Sequence, residues 1–251
     1  MTDSRTYIST LCEEARNHRA VNHPYLRTLM SGDLPDIKGA LKDFVFQYSA
    51  YSFDFVRYLT ATIAQLEDER HRKALMKNLV EETGRIDAKD APIIKSIGLE
   101  MEWVDGVPHT ELFARYLNAA GVDQEFRRKT PYADEAVVWR DLFFSLCSKE
   151  GAARAVGAIG IGTENVVKYI YRPFIQAIEN HLDISLRDRA FFDLHATLDE
   201  QHGTVLTDIA VDLVEKSEHR GPIRDGMLMA LSLRGAFFDA LQARAYAMKA
   251  A

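Results

Sequence analysis

Between Gly39 and Gly84 the chain runs without a glycine or a proline, and between Pro131 and Pro173 without a proline. These two residues punctuate helices and turns, so gaps of this length call for long helices. In the first gap Leu41, Phe44, Val45, Tyr48, Tyr51, Phe55, Leu59 and Ile63 recur mostly in steps of three and four. That spacing marks one helical face, not the alternation of a strand. Ser31-Gly32-Asp33-Leu34-Pro35 reads as the turn before it. Glu67-Asp68-Glu69-Arg70-His71 is expected to divide the stretch into two helices. Further helices are expected over about 5–18, 72–83, 109–120, 132–148, 152–180, 187–216 and 222–248. The region 84–108, interrupted by Gly84, Pro92, Gly98, Gly106 and Pro108, reads as a short helix near 89–97 with loops. With no hairpin signal, repeat or flexible linker, the expected architecture is all-α, a single-domain helical bundle over residues 1–251.

A chain of 251 residues buries a sizeable core without disulfide or metal staples, so a metal bound here would serve function. With 31 Lys and Arg against 37 Asp and Glu, the net charge of −6 gives no electrostatic footprint for nucleic acid. Cys12 and Cys147 are the only cysteines, and they are far apart. This pattern suits a reducing cytoplasm and excludes a cysteine-built zinc site. No apolar run reaches the roughly 18–20 residues that span a membrane, and Met1–Arg5 leads into a polar segment unlike a signal peptide. A cytoplasmic location is the expectation.

The strongest chemical feature is His195, Asp199 and His202, spaced i, i+4, i+7. At about 100° per residue the three fall within roughly 60° of one another on a helix. Two imidazoles and a carboxylate on one face suit iron, manganese or zinc. A solvated helix face would show the same spacing by chance, but Phe191, Phe192, Leu194, Leu198, Val205 and Leu206 surround the trio. Ionisable groups buried in that setting need partners or a metal. Glu164 is a lone acid at the end of the small, apolar run Gly157–Gly162. It is either a site carboxylate or the ion-pair partner of Arg154 or Arg172. Glu81 and Glu82, in Asn78–Gly84, oppose the dipole of a helix C-terminus. They read as a charged helix end or as ligands. His109 stands at the start of an amphipathic helix, as a cap, a surface residue or a ligand.

Taken together, E-E-x-G, then H-x-x-L-F, then an isolated helix Glu, then H-x-x-x-D-x-x-H resembles the heme-oxygenase-like diiron oxidases and oxygenases. That family belongs to a helical superfamily shared with TenA-type thiaminases and PqqC. The resemblance covers roughly residues 20–240, the expected metal-binding bundle, and includes the opening segment His23-Pro24-Tyr25-Leu26. It implies a heme-oxygenase-like fold and a ligand set of Glu82, His109, Glu164, His195, Asp199 and His202. Glu82 is preferred over Glu81 because the family ligand lies four residues after the Asn of N-L-x-x-E, here Asn78. The stretch between Glu82 and His109 is longer than in many members, so the histidine rests on the match at His109–Phe113. Some members carry a further carboxylate on the preceding long helix, and Asp54 stands near that place.

The resemblance further implies two Fe(II) ions, manganese being admitted in one site, and an O2-dependent non-heme diiron oxidoreductase of specialised metabolism. Family substrates are small and carry a carboxylate, amino acids or fatty acids. The reaction types are N-oxygenation, oxidative C–C cleavage and desaturation. The partners so implied are O2, a small-molecule substrate and an external electron donor, with neither nucleic acid nor membrane, and a homodimer is compatible. Tyr48, Tyr51, Tyr169 and Arg172 are candidates for the pocket wall. A metal-free TenA-like or PqqC-like enzyme is the alternative; a thiaminase would need a nucleophilic cysteine, whereas Cys147 reads as a core thiol. A non-enzymatic helical scaffold is the third possibility.

Overall fold

Several helices begin where the sequence supplies a cap. Asp3 accepts hydrogen bonds from the amides of Arg5 and Thr6 to open α1 (Ser4–Asn17). His23 caps α2 (Pro24–Ser31), Pro24 fills its first turn, and Gly32, at φ 75°, closes it by donating to the Thr28 and Leu29 carbonyls. Asp36 caps α3 (Ile37–Ser52), which is followed by α4 (Phe55–Gln65). Asp68 caps α5 (Glu69–Glu82). Two short helices, α6 (Ala91–Ser96) and α7 (Met101–Val104), precede α8 (His109–Ala119), α9 (Gln124–Lys129) and α10 (Asp134–Lys149). Then α11 (Ala152–Val156) passes through a π-helical stretch, Gly157–Glu164, into α12 (Asn165–His181). Ser185 caps α13 (Leu186–Leu213), and α14 (Arg220–Ala247) ends the fold. The computed structural model describes residues 3–249, apart from the side chains of residues 198–202, and no strand occurs among them.

The helices enclose one hydrophobic cluster that draws on residues from Ile8 to Ala245. Aromatic rings dominate it. Phe44 stacks on Phe174 at 4.3 Å, Tyr51 on Trp139 at 4.0 Å, and Phe192 meets Tyr116 edge-on at 4.9 Å. Each such buried ring contributes about 1.5–3 kcal/mol through burial alone. α14 supplies Met227, Leu231, Phe237, Phe238 and Leu241 to this core. No helix among the described residues is long and apolar enough to cross a membrane.

The single-domain helical bundle and the main helices follow the sequence pattern, with informative differences. The boundary expected at 67–71 falls between Gln65 and Glu69. A second break, at Phe53-Asp54, has no glycine or proline to announce it. There the α3 bonding tightens, with the Asp54 amide reaching only three residues back to the Tyr51 carbonyl. Phe53 packs edge-on against Phe113, and Phe55 against Tyr58, so two neighbouring rings turn to different partners. The small helices α2, α7 and α9 were also outside the sequence expectation, being too short to show a period.

The expected helix 152–180 is continuous, but eight of its residues wind as a π-helix. Its glycines explain how. A β-carbon on Gly157 would lie 2.0 Å from the Ile223 carbonyl oxygen, and one on Gly226 would lie 2.1 Å from that of Arg154. Helix α14 therefore approaches this segment backbone to backbone. The Thr163 hydroxyl donates five residues back to the Ala158 carbonyl, and Asn165 donates to the Gly160 carbonyl and the Thr207 hydroxyl. The first two bonds close the wide turn on itself, and the last ties it to α13. We expect Gly157→Ala or Gly226→Ala to lower stability by about 1–3 kcal/mol, although alanine normally favours a helix interior. Urea unfolding of either variant measures the loss.

Candidate metal centre

Glu82 and His109 come from opposite ends of the irregular region and are joined at its base. After α5 ends, Gly84 adopts φ 99°, a left-handed conformation that glycine takes without strain. Its carbonyl accepts from the Gly106 amide at 2.8 Å. A β-carbon at position 84 would lie 2.4 Å from the Val107 carbonyl carbon. The two strands of the loop thus close tightly, and Pro108 starts α8 with His109 as its first residue. His109 Nδ1 then lies 3.0 Å from Glu82 Oε2, both residues being buried. Glu81 instead borders a surface groove with Lys77 and Arg85.

His195 approaches from α13. Its ring meets His109 at 4.6 Å and Phe191 at 4.2 Å between centroids. His195 Nδ1 lies 2.6 Å from the Phe191 carbonyl oxygen. A carbonyl can only accept, so Nδ1 carries the proton and the Nε2 lone pair is left to bind. One ligand atom from each of Glu82, His109 and His195 lies within 4.8 Å of the others. Glu164 borders the same cavity from the end of the π-helical stretch and is 7% exposed. The ion pairs weighed for it are not formed: Arg154 pairs with Glu150 and Asp225, and Arg172 is exposed. Asp199 and His202 lie one and two turns along α13 from His195, and their side chains lie outside the described residues.

The cavity, about 30 Å³, holds one or two water-sized molecules. Besides the cluster, Tyr48, Tyr51, Ser52, Phe55, Val56, Thr110, Thr163, Val167, Tyr171 and Phe191 line it. The hydroxyls of Tyr48 and Tyr171 are hydrogen-bonded at 2.7 Å. Of the sequence candidates, Tyr48 and Tyr51 are on the wall. Tyr169 and Arg172 are not; Lys168 sits over the Tyr169 ring. Tyr171 takes that place because it stands seven residues from Glu164 and four from Val167, on their helical face. That periodicity was the available signal. Asp54 pairs with Arg57 at 2.8 Å and does not border the cavity. Burial pushes the Tyr51 hydroxyl well above its ordinary range. Neither cysteine borders the cavity, and burial pushes the Cys147 thiol up to about 12.

Fold and site together define an all-α protein with a buried carboxylate–imidazole cluster in its core. The family model described as "Iron-containing redox enzyme" matches residues 42–235, and the chain belongs to that family. No curated relative matches. Among solved structures, a CADD-like protein of unknown function from Nostoc punctiforme PCC 73102 superimposes with a TM-score of 0.72 at 15% identity, covering 95% of this chain and 98% of that one. A domain of unknown function with a heme oxygenase-like fold from Shewanella denitrificans OS217 gives 0.69 at 14% identity, covering 95% and 90%. A TenA homolog from Pseudomonas syringae pv. tomato DC3000 gives 0.68 at 14% identity, covering 95% and 92%. At these identities the likeness shows the heme oxygenase-like fold.

Two expectations follow. Gly84→Ala forces a β-carbon into a left-handed residue and against Val107, so it should cost at least about 1–2 kcal/mol in urea unfolding. Cys147 should resist thiol reagents at pH 8 until the protein unfolds. Its folded pKa lies above the ordinary 9.0, so its contribution to stability is complete below pH 9 and is lost as pH rises towards 12. Comparing Cys147→Ala with wild type across that window isolates the effect.

Proposed function

We propose that the cavity is an iron centre, and that the protein is an O2-dependent non-heme diiron oxidoreductase acting on a small carboxylate-bearing substrate such as an amino acid. The observation that carries this reading is the convergence of Glu82, His109 and His195, with Glu164 on the same wall. Mixed imidazole and carboxylate donors without thiolate are a chemistry that suits iron, and manganese in one position. Asp199 and His202 complete the proposed ligand set of six. Iron bound by this set would supply the electron transfer to O2 that side chains alone do not provide.

The chain's own residues set the conditions for that chemistry. The Phe191 carbonyl fixes the His195 tautomer and ring, as outer partners do for ligating histidines. The Gly84 closure fixes His109 beside Glu82. Phe55, Val56, Val167 and Phe191 keep bulk water out and limit side reactions. The Tyr48 and Tyr171 hydroxyls, hydrogen-bonded to each other, add a polar spot to the wall. O2 and one small organic molecule are the partners this reading requires. An external electron donor joins them where substrate oxidation releases fewer electrons than O2 takes up. The metal-free thiaminase alternative lacks its nucleophile, because Cys12 and Cys147 are both buried away from the cavity.

Loading with Fe(II) under anaerobic conditions should give about two irons per chain. Admission of O2 should then produce a transient absorbing species, and an accepted amino or fatty acid should speed O2 uptake. His195→Ala and Glu82→Gln should each lower iron affinity at least about tenfold. No iron uptake by the wild type, or equal uptake by both variants, overturns the reading.

A further inference from the structure

Behind the cavity wall lies a second polar feature that the iron reading does not use. Arg234 of α14 is 1% exposed and forms no ion pair among the described residues. Its guanidinium lies 5.2 Å from the centre of the Trp139 ring, and its Nε has no hydrogen-bond partner. Beside it the Trp139 indole N–H is equally unpartnered, and the Tyr51 hydroxyl makes no hydrogen bond of good geometry. They are neighbours, since Trp139 stacks on Tyr51 at 4.0 Å. Tyr51 in turn borders the cavity, where the Thr163 hydroxyl faces it. The Arg234 charge also acts on the Tyr51 hydroxyl, opposing the effect of burial.

Burying a guanidinium without a counter-charge is costly, and each orphaned donor adds about 1–3 kcal/mol. These groups share one property. Arg234 and Trp139 can only donate, and Tyr51 can donate. The charge at this place is positive, and the cavity wall carries no lysine or arginine among the described residues. A ligand that satisfies the set is therefore an acceptor with a negative charge. The planar oxygens of a carboxylate suit a guanidinium best.

We propose that Arg234, Tyr51 and Trp139 form a carboxylate-binding pocket behind the cavity wall, which Tyr51 alone of the three lines. It seats the acid group of a small organic acid away from Glu82, His109 and His195. As the anchor of a substrate, the pocket rests on the reading of the cavity as an iron centre; as an anion site it does not. Arg234 is then a positioning residue. It sets which carbon or nitrogen of the acid faces the ligand cluster, and it discriminates acids from their neutral analogues.

Acetate and acetamide differ at one atom and in charge, which makes them the probes. Trp103→Phe leaves Trp139 as the only tryptophan and so as the fluorescent reporter. In this background, after removal of metal by a chelator, acetate should bind at least about tenfold more tightly than acetamide. Arg234→Met should weaken acetate binding about 10- to 100-fold and leave acetamide unchanged. Arg234→Lys should recover part of the preference. Tyr51→Phe should weaken acetate several-fold, and it serves as the measurement if Arg234→Met does not fold. His195→Ala should lose iron but keep acetate binding, so the iron centre and the anion pocket can fail separately. Equal binding of the two probes, no saturable response to acetate, or acetate binding that survives Arg234→Met and Tyr51→Phe overturns the proposal. Loss of acetate binding in His195→Ala alone places the carboxylate at the ligand cluster and also overturns it.

Discussion

Two carbonyl oxygens, of Ile223 and Arg154, lie where β-carbons on residues 157 and 226 would have to be. This double approach of backbone to backbone is the constraint on which the rest of the arrangement depends. It brings α14 against the π-helical stretch more closely than side chains allow. The wide turn ends at Glu164, which reaches the cavity together with Thr163. From the other side of the contact α14 carries Arg234 to Trp139. Intrinsic propensity opposes this segment, because glycines weaken a helix interior by about 0.5–1 kcal/mol each. Packing across the contact offsets that cost. A winding with an extra residue per turn also fits the general association of π-helical turns with functional positions.

Much of the bundle was legible because long helices write their period into the sequence. The face of α3 and α4 appears as repeated apolar positions, and the turn before it as Ser31–Pro35. The break at Phe53-Asp54 was not legible, because it depends on which distant ring each phenylalanine meets. The π winding was not legible either. The glycines announced small side chains, but only the position of α14 explains why. For the site, spacing along one helix singled out His195, and an isolated acid singled out Glu164. The meeting of Glu82 with His109 depends on a closure between residues 84 and 107, which no local period records. Tyr171 lay on the readable face of α12, whereas Arg234 sat in a helix whose apolar residues drew attention away from it.

The centre illustrates how a helical core accommodates groups that water would otherwise hold. Imidazole and carboxylate satisfy one another at Glu82 and His109, and a backbone carbonyl orients His195. Aromatic rings fill the remaining space and keep the local dielectric low. In that environment each polar contact is strengthened, and each missing one is costly. The geometry is therefore held by rigid helices, with one exception where a loop intervenes.

That exception is the excursion from Gly84 to Val107. It is pinched at its base by the Gly106–Gly84 hydrogen bond and the contact of Gly84 with Val107. Glu82 and His109 lie just outside the pinch, so their separation does not depend on what the intervening chain does. The entropy of closing such a loop rises only slowly with its length. Residues 85–105 nevertheless send Ile94, Leu99 and Val104 into the core, so the clasp closes a segment that is itself anchored. Its exposed positions, not its packed ones, are where the outer surface can be remodelled while the donor atoms beneath keep their places.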